Sequence, residues 1–117
     1  MYDTLIGPEV LSDHLQDPDW CIIDCRASLT DSHAGATAYA VGHLPGAVFA
    51  DLATDLSGPL IAGITGRHPL PDPKALAATF GHWGIGAPTQ VVAYDAGNGV
   101  YGSRLWWLLR WLGHAGV

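Results

Sequence analysis

One stretch of the sequence decides the fold, Val91-Val92-Ala93-Tyr94-Asp95-Ala96-Gly97-Asn98-Gly99-Val100-Tyr101-Gly102-Ser103-Arg104. A β-branched run is followed by a glycine-rich turn and then by the beginning of a strongly apolar helix. This order predicts a strand whose carboxyl end leads through the turn into the helix, which is where open α/β sheets keep their ligand sites. Asp95 and the amides of the turn are therefore expected at that edge of the sheet.

The remaining segments alternate between strands and helices, which predicts an α/β fold with a parallel sheet flanked by helices. Strand candidates are Leu5-Ile6, Trp20 to Cys25, Gly46 to Ala50 and Gln90 to Tyr94. Helices are predicted from Pro8 to about Leu15, near Thr37 to Val41, from Pro73 to Trp83 with Asp72 as N-cap, and from Tyr101 to Leu112. Between them, Asp51 to Pro71 is a long irregular segment, a type that is usually functional or mobile.

The apolar helix near the C-terminus has almost no polar face, so we expect it to be buried nearly all round or to pack between the sheet and another domain. Such a helix returns the chain to a further parallel strand. We therefore expect residues 1–117 to form one domain whose final strand and helix are missing. A vacant place in a sheet recruits another chain, so a homo-oligomer is expected if the chain folds as it stands.

Composition excludes some partners. The chain has 117 residues with 5 basic and 11 acidic side chains, a formal net charge of −6, which disfavours nucleic acid and acidic membrane surfaces. Cys21 and Cys25 lie in one predicted strand and are expected to be buried thiols in a reducing compartment, so the cytoplasm is the expected location. The scattered histidines lack ligand spacing, and neither a metal nor a cofactor is expected.

The glycines Gly97-x-Gly99-x-x-Gly102 match the dinucleotide-binding fingerprint, since they follow a strand and open a helix. Amides of such a turn can approach a phosphate at a helix N-terminus. Two observations weaken this interpretation: Asp95 would place a negative charge beside the phosphates, and the strand comes late in the domain. Nucleotide binding is kept as a less favoured alternative.

Four blocks in order carry a resemblance to a known family: Asp24-Cys25-Arg26, Gly42-His43-Leu44-Pro45-Gly46-Ala47, Gly66-Arg67-His68-Pro69-Leu70-Pro71, and the Tyr94-Asp95 turn with Arg104-Leu105-Trp106-Trp107-Leu108-Leu109-Arg110. The sequence resembles the rhodanese family, in particular the N-terminal domain of tandem-domain thiosulfate and 3-mercaptopyruvate sulfurtransferases. The resemblance makes the following residues family signature positions: Asp24, Arg26, His43, Pro45, Gly46 and Arg104.

In that family, the active-site loop begins with a cysteine that carries the transferred sulfur as a persulfide. Asp95 occupies the place of this cysteine, and a carboxylate cannot form a persulfide. The resemblance therefore implies an inactive N-terminal domain that lines an interdomain cleft, with a C-terminal catalytic rhodanese domain, a small sulfur donor and a thiol or cyanide acceptor as partners. The alternative is a stand-alone inactive module for protein interaction, with the Trp- and Leu-rich helix as its partner surface.

The resemblance also singles out His68. A similar His-x-Leu-Pro segment of mercaptopyruvate sulfurtransferases reaches the interdomain cleft, where its histidine and an aspartate take part in a proton relay. This makes His68 a candidate acid/base, although a histidine that only fixes the long loop would give the same pattern. The position of the relay aspartate falls at Ala53, with Asp51 and Asp55 on either side.

The remaining charged residues are interpreted as structural. Asp24 and Arg26 leave the end of a buried strand and are predicted to form an ion pair or a loop anchor. His43 is predicted to be structural, as is Cys25. Arg104 lies where a helix N-terminus disfavours a cation, so a compensating carboxylate is expected, with Asp95 as the candidate.

Overall fold

The computed structural model describes residues 1–117. It contains strands β1 (Trp20–Asp24), β2 (Val48–Phe49) and β3 (Gln90–Tyr94), and helices α1 (Pro8–Asp13), α2 (Ala34–Val41), α3 (Pro73–His82) and α4 (Val100–Trp111). The three strands form one parallel sheet in the order β2-β1-β3, which confirms the predicted α/β class. No helix combines the length and the apolar character needed to cross a membrane.

The central strand β1 determines the register of the sheet. It pairs with β3 over its full length, from Trp20 opposite Gln90 to Asp24 opposite Tyr94, and its last two residues pair with β2. Because parallel strands end at the same edge, Asp24 and the turn after Tyr94 come together there. The core packs against this sheet and includes Ile23, Val91, Leu56, Leu76, Phe80, Leu105, Leu108 and Leu109.

Helix α3 begins as the sequence predicts. Asp72 is its N-cap, and one carboxylate oxygen accepts a hydrogen bond from the Ala75 amide at 3.0 Å. Pro73 occupies the first turn, where its missing N–H costs nothing. The segment from residue 51 to residue 71 contains no helix or strand, in agreement with its composition.

One predicted element is absent from the structure. Leu5-Ile6 forms no strand, and Leu5 is 94% exposed, because the Gln90 side chain instead holds the backbone of Tyr2 through hydrogen bonds of 2.8 and 2.9 Å. Predicted boundaries elsewhere shift by a few residues, and β2 is shorter than Gly46 to Ala50 because the chain turns at Gly46, where φ is +77°.

Helix α4 is not buried all round. Leu105, Leu108 and Leu109 share the buried face, whereas Trp107 is 46% and Trp111 40% exposed. The two indole rings lie 5.6 Å apart, since residues four apart are neighbours on a helix surface. One side of the helix is therefore buried and the other exposed, although large apolar side chains lie on both.

Candidate functional site

The turn after β3 is organised around the Asp95 carboxylate. One oxygen accepts hydrogen bonds from the amides of Gly97 and Gly99 at 2.9 and 3.2 Å. The other accepts from Tyr101 and Gly102, in the first turn of α4, at 3.1 and 2.9 Å. Gly99 has φ +89°, a left-handed conformation that glycine adopts without steric cost. The turn is therefore an anion-binding cradle, and the chain's own carboxylate occupies it.

The cradle keeps Asp95 ionised. Partial burial raises the pKa of this carboxyl, but the hydrogen bonds from Gly102, Gly97, Gly99 and Tyr101 outweigh it and hold the pKa below its ordinary value. The N-terminus of α4 also favours a negative charge at this point. The same three glycines form the dinucleotide fingerprint, so their amides are already used inside the chain and are not free to bind a phosphate.

Arg104 does not pair with Asp95, and that prediction is wrong. Its Nε donates to the Leu56 carbonyl at 3.0 Å, and Nη2 lies 3.3 Å from the Ser57 hydroxyl. Nη2 also donates to the carbonyls of His68 and Pro69 at 3.2 and 3.3 Å. Asp95 is satisfied by amides, and Arg104 instead bridges two parts of the irregular segment from residue 51 to residue 71.

His68 lines a cavity of about 230 Å³ beside this segment. The polar and charged residues that line it with His68 are Arg26, Ser28, Asp31, Ser32, Asp51 and Arg67. The half-buried His68 imidazole makes no hydrogen bond within the chain, although its backbone carbonyl is bound by Arg104. Burial, followed by the charges of Arg104 and Arg67, lowers the pKa of His68, so its imidazole is neutral near pH 7.

The aspartates near Ala53 are engaged elsewhere. Asp51 accepts hydrogen bonds from the amides of Ala53 and Thr54 at 2.9 and 3.1 Å. Asp55 accepts from the Asp51 amide at 2.8 Å, and burial raises the pKa of Asp55. Asp51 shares the cavity with His68, but neither carboxylate hydrogen-bonds to the imidazole. An aspartate–histidine pair is therefore not assembled within this chain.

The ion pair between Asp24 and Arg26 is confirmed. Arg26 Nη2 lies 2.7 Å from a carboxylate oxygen of Asp24, whose side chain is fully buried, and also donates to the Gly42 carbonyl at 2.6 Å. Burial raises the pKa of Asp24, but hydrogen bonds from Arg26 and from the Tyr94 hydroxyl leave it below its ordinary value. This network ties the end of β1 to β3 and to the turn at Gly42. The sequence pattern does not predict the part of Tyr94 in this network, although its place at the carboxyl end of a buried strand is a signal for it.

His43 lies outside the cavity that contains His68. Its ring stacks on Tyr39 with centroids 3.7 Å apart, and its Nδ1 lies 2.8 Å from the Tyr39 carbonyl. Pro45 and Gly46 belong to the same exposed turn. These contacts are within the turn and the preceding helix, consistent with the structural role predicted for His43.

Neither cysteine has the environment of a nucleophile. Cys21 and Cys25 are free thiols; Cys25 is buried as predicted, with 2% exposed, whereas Cys21 is only partly buried. Burial raises the pKa of both thiols, and the charges of Asp24 and Asp95 raise that of Cys25 further. A reactive thiolate needs the opposite electrostatic environment.

A larger and mostly apolar groove, of about 710 Å³, follows β3 and the N-terminal residues 2–11. Asp95 lines it at the turn and is its only carboxylate. No group of three or more histidine, cysteine or acidic side chains is arranged to hold a metal ion.

Comparisons with known proteins define the class to which this fold and turn belong. The sequence profile described as Rhodanese-like domain matches residues 7–117. A solved structure, 3-mercaptopyruvate sulfurtransferase from Leishmania major, superposes with a TM-score of 0.85 at 36% identity, covering 95% of this chain and 30% of that one. The chain belongs to the rhodanese-like family, as the resemblance predicted.

Two curated relatives carry sulfurtransferase names. A Pseudomonas aeruginosa protein named "Probable 3-mercaptopyruvate sulfurtransferase" is 50% identical over 109 residues, which are 93% of this chain. The 3-mercaptopyruvate sulfurtransferase of Escherichia coli K12 is 34% identical over 112 residues, or 92% of this chain. The chain spans 38% of the length of each relative.

Proposed function

We propose that this chain is the non-catalytic N-terminal rhodanese domain of a sulfurtransferase, and that it forms one wall of an interdomain cleft. The observation that carries the proposal is the Asp95 carboxylate in its cradle of four backbone amides. An anionic sulfur donor would meet a fixed negative charge there, and the chain has no accessible thiolate to accept sulfur. The persulfide cysteine would lie in a C-terminal catalytic rhodanese domain.

The proposed contribution of this chain to the reaction is the cavity that contains His68. Its neutral imidazole makes no hydrogen bond within the chain and can accept or donate a proton near pH 7. The proposed reaction moves sulfane sulfur from thiosulfate or 3-mercaptopyruvate to a thiol or cyanide. The cytoplasmic location stays a prediction.

An assay of the 117-residue chain tests the loss of chemistry in the Asp95 turn. We expect no thiocyanate from cyanide with either sulfur donor. Turnover that is abolished by Cys25→Ser would contradict the proposal, because it would assign the chemistry to a thiol of this chain. Turnover that persists in Cys25→Ser but is lost in Cys21→Ser would contradict it in the same way.

The second candidate function is a stand-alone interaction module, favoured by the exposed pair Trp107 and Trp111 on α4. The downstream reading frame distinguishes the two candidates. A second Gly-His-x-Pro-Gly block followed by a cysteine-led loop would support the sulfurtransferase, and a stop codon would support the module.

A further inference from the structure

We propose that Arg104 is a positioning residue that clamps the irregular segment from residue 51 to residue 71 and thereby sets the position of His68. The inference rests on the proposed function only where it concerns turnover, since the clamp itself can be tested without catalysis.

The geometry of the clamp is specific to a guanidinium. Arg104 extends from the first turns of α4 and donates to Leu56 on one side of the segment and to His68 and Pro69 on the other. A planar group with several donors can hold acceptors in these different directions, whereas an ammonium group has three donors on one atom. The His68 contact is made through its own carbonyl, so the clamp acts on the backbone of the candidate acid/base.

The two sides of the segment meet closely at the clamp. The Gly58 amide donates to the Pro69 carbonyl at 2.9 Å. A Cβ placed on Gly58 would lie 2.8 Å from the Leu70 carbonyl oxygen, so the close approach requires glycine. This backbone contact lies immediately after Ser57, which Arg104 also contacts. The guanidinium and the backbone bond therefore close the loop together.

The acceptors of Arg104 are uncharged, and this has an electrostatic consequence. The ion pairs in the chain are His14 with Asp17 and Arg26 with Asp24, so no carboxylate neutralises Arg104 or Arg67. Both positive charges disfavour protonation of His68. A carboxylate partner for Arg104, such as the one expected at Asp95, would have cancelled part of this effect.

Arg110 provides a matched control on the same helix. Its guanidinium lies 5.1 Å from the centre of the Trp106 ring, its side chain is exposed, and it makes no hydrogen bond or ion pair with the irregular segment. Arg104→Met and Arg110→Met therefore remove the same group from one helix, and only the first removes the clamp.

The test is an NMR titration of the histidines in the 117-residue chain, with the His68 signal identified by its absence in His68→Gln. The other groups that line the cavity and titrate or carry charge are Arg26, Asp31, Asp51 and Arg67. We expect the pKa of His68 to rise toward its ordinary value in Arg104→Met and to stay unchanged in Arg110→Met. The Gly58 amide should exchange with solvent about tenfold faster in Arg104→Met only.

An unchanged His68 titration together with an unchanged Gly58 exchange rate in folded Arg104→Met would overturn the proposal. If that variant does not fold, the same two measurements on Arg104→Lys and Ser57→Ala test the clamp. Each removes part of the clamp, and each should move the His68 signal and accelerate Gly58 exchange by less than the full loss. His68 signals identical to wild type in both would equally overturn the proposal.

Kinetic measurements on a longer sulfurtransferase that contains this chain test the clamp and the proposed function separately. If His68→Gln lowers kcat, Arg104→Lys should lower kcat in the same direction and displace its pH profile, with Arg110→Lys as the silent control. A normal kcat in His68→Gln would refute the proposed role of His68 in turnover. The NMR result would still decide whether Arg104 positions it.

Discussion

The Asp95 turn and the loop around His68 are both organised by the first turns of α4, yet they handle charge in opposite ways. The turn surrounds a carboxylate with four amides and leaves no donor of its glycines unused. The loop surrounds the Arg104 guanidinium with neutral oxygens and leaves the His68 imidazole without a partner. The first region is closed by its own side chain, and the second keeps a neutral base in an open cavity. The turn is thus filled by a side chain of this chain, whereas the loop leaves a polar side chain without a partner.

The largest expected effect on stability comes from removing the carboxylate that the turn after β3 binds. Asp95→Ala leaves the four amides without their charged acceptor, and we expect the free energy of unfolding to fall by about 2 kcal/mol, within the roughly 1.5–3 kcal/mol range of hydrogen bonds to charged groups. Denaturant unfolding measures this loss. Asp72→Ala, which removes a cap with one such bond, is the control, with an expected loss of about 1 kcal/mol. Equal losses of unfolding free energy in both variants would show that the Asp95 carboxylate stabilises the fold no more than an ordinary helix cap.

A cysteine in the cradle sharpens the comparison in chemical terms. In Asp95→Cys the amides and the helix N-terminus should stabilise a thiolate, and we expect its pKa to fall below the ordinary value for cysteine. Alkylation near pH 7 should be about tenfold faster than that of an ordinary thiol. Wild-type protein is the control, because Cys21 and Cys25 have raised pKa values. Alkylation of Asp95→Cys no faster than that of wild type would show that the turn does not favour an anion.

The dependence of stability on pH tests whether the cradle holds a charge. The pKa of Asp95 is lower in the folded chain than in the unfolded chain, so its contribution is fully present above the unfolded value of about 3.9 and is lost as the pH falls through the folded value. The stability difference between wild type and Asp95→Asn should therefore shrink from about pH 6 to about pH 3. Asp24 titrates in both proteins, so its contribution cancels. A difference independent of pH would contradict this assignment.

The smallest effect on stability is expected in the loop around His68. His68→Gln removes an imidazole that makes no hydrogen bond within the chain, and we expect the free energy of unfolding to change by less than about 0.5 kcal/mol. Thermal or denaturant unfolding checks this. A loss as large as that of Asp95→Ala would identify His68 as a residue that fixes the loop.

Local sequence rules were sufficient where one segment determines its own structure. The apolar runs of β1 and β3, the Asp72 cap and the pair of Asp24 with Arg26 all depend on residues close in sequence, and each was predicted correctly. Burial of α4 could not be predicted in this way. Large apolar side chains lie on its exposed side as well as on its buried side, and the position of the sheet decides that Leu105 is buried while Trp107 is exposed.

The candidate site could be predicted only in part for the same reason. The sequence predicts the place of Asp95 at the sheet edge correctly, but it points to Arg104, the nearest cation in sequence, as the partner of Asp95. Backbone amides have no signature in the sequence, and they satisfy the carboxylate before any arginine can. The four oxygens that accept hydrogen bonds from Arg104 belong to residues 35 to 48 positions away in sequence. Charge and periodicity do not predict contacts over that separation.

The pairing of β1 with β3 has a consequence for synthesis of the chain. Asp24 and Tyr94 are 70 residues apart, and at about 5–20 residues per second the ribosome needs roughly 4–14 s to make the segment between them. Pairing between distant strands takes milliseconds to about a second, so β1 is without β3 for longer than the pairing itself takes. During those seconds its backbone edge and the apolar side chains of Ile22 and Ile23 are open to other nascent chains and to chaperones.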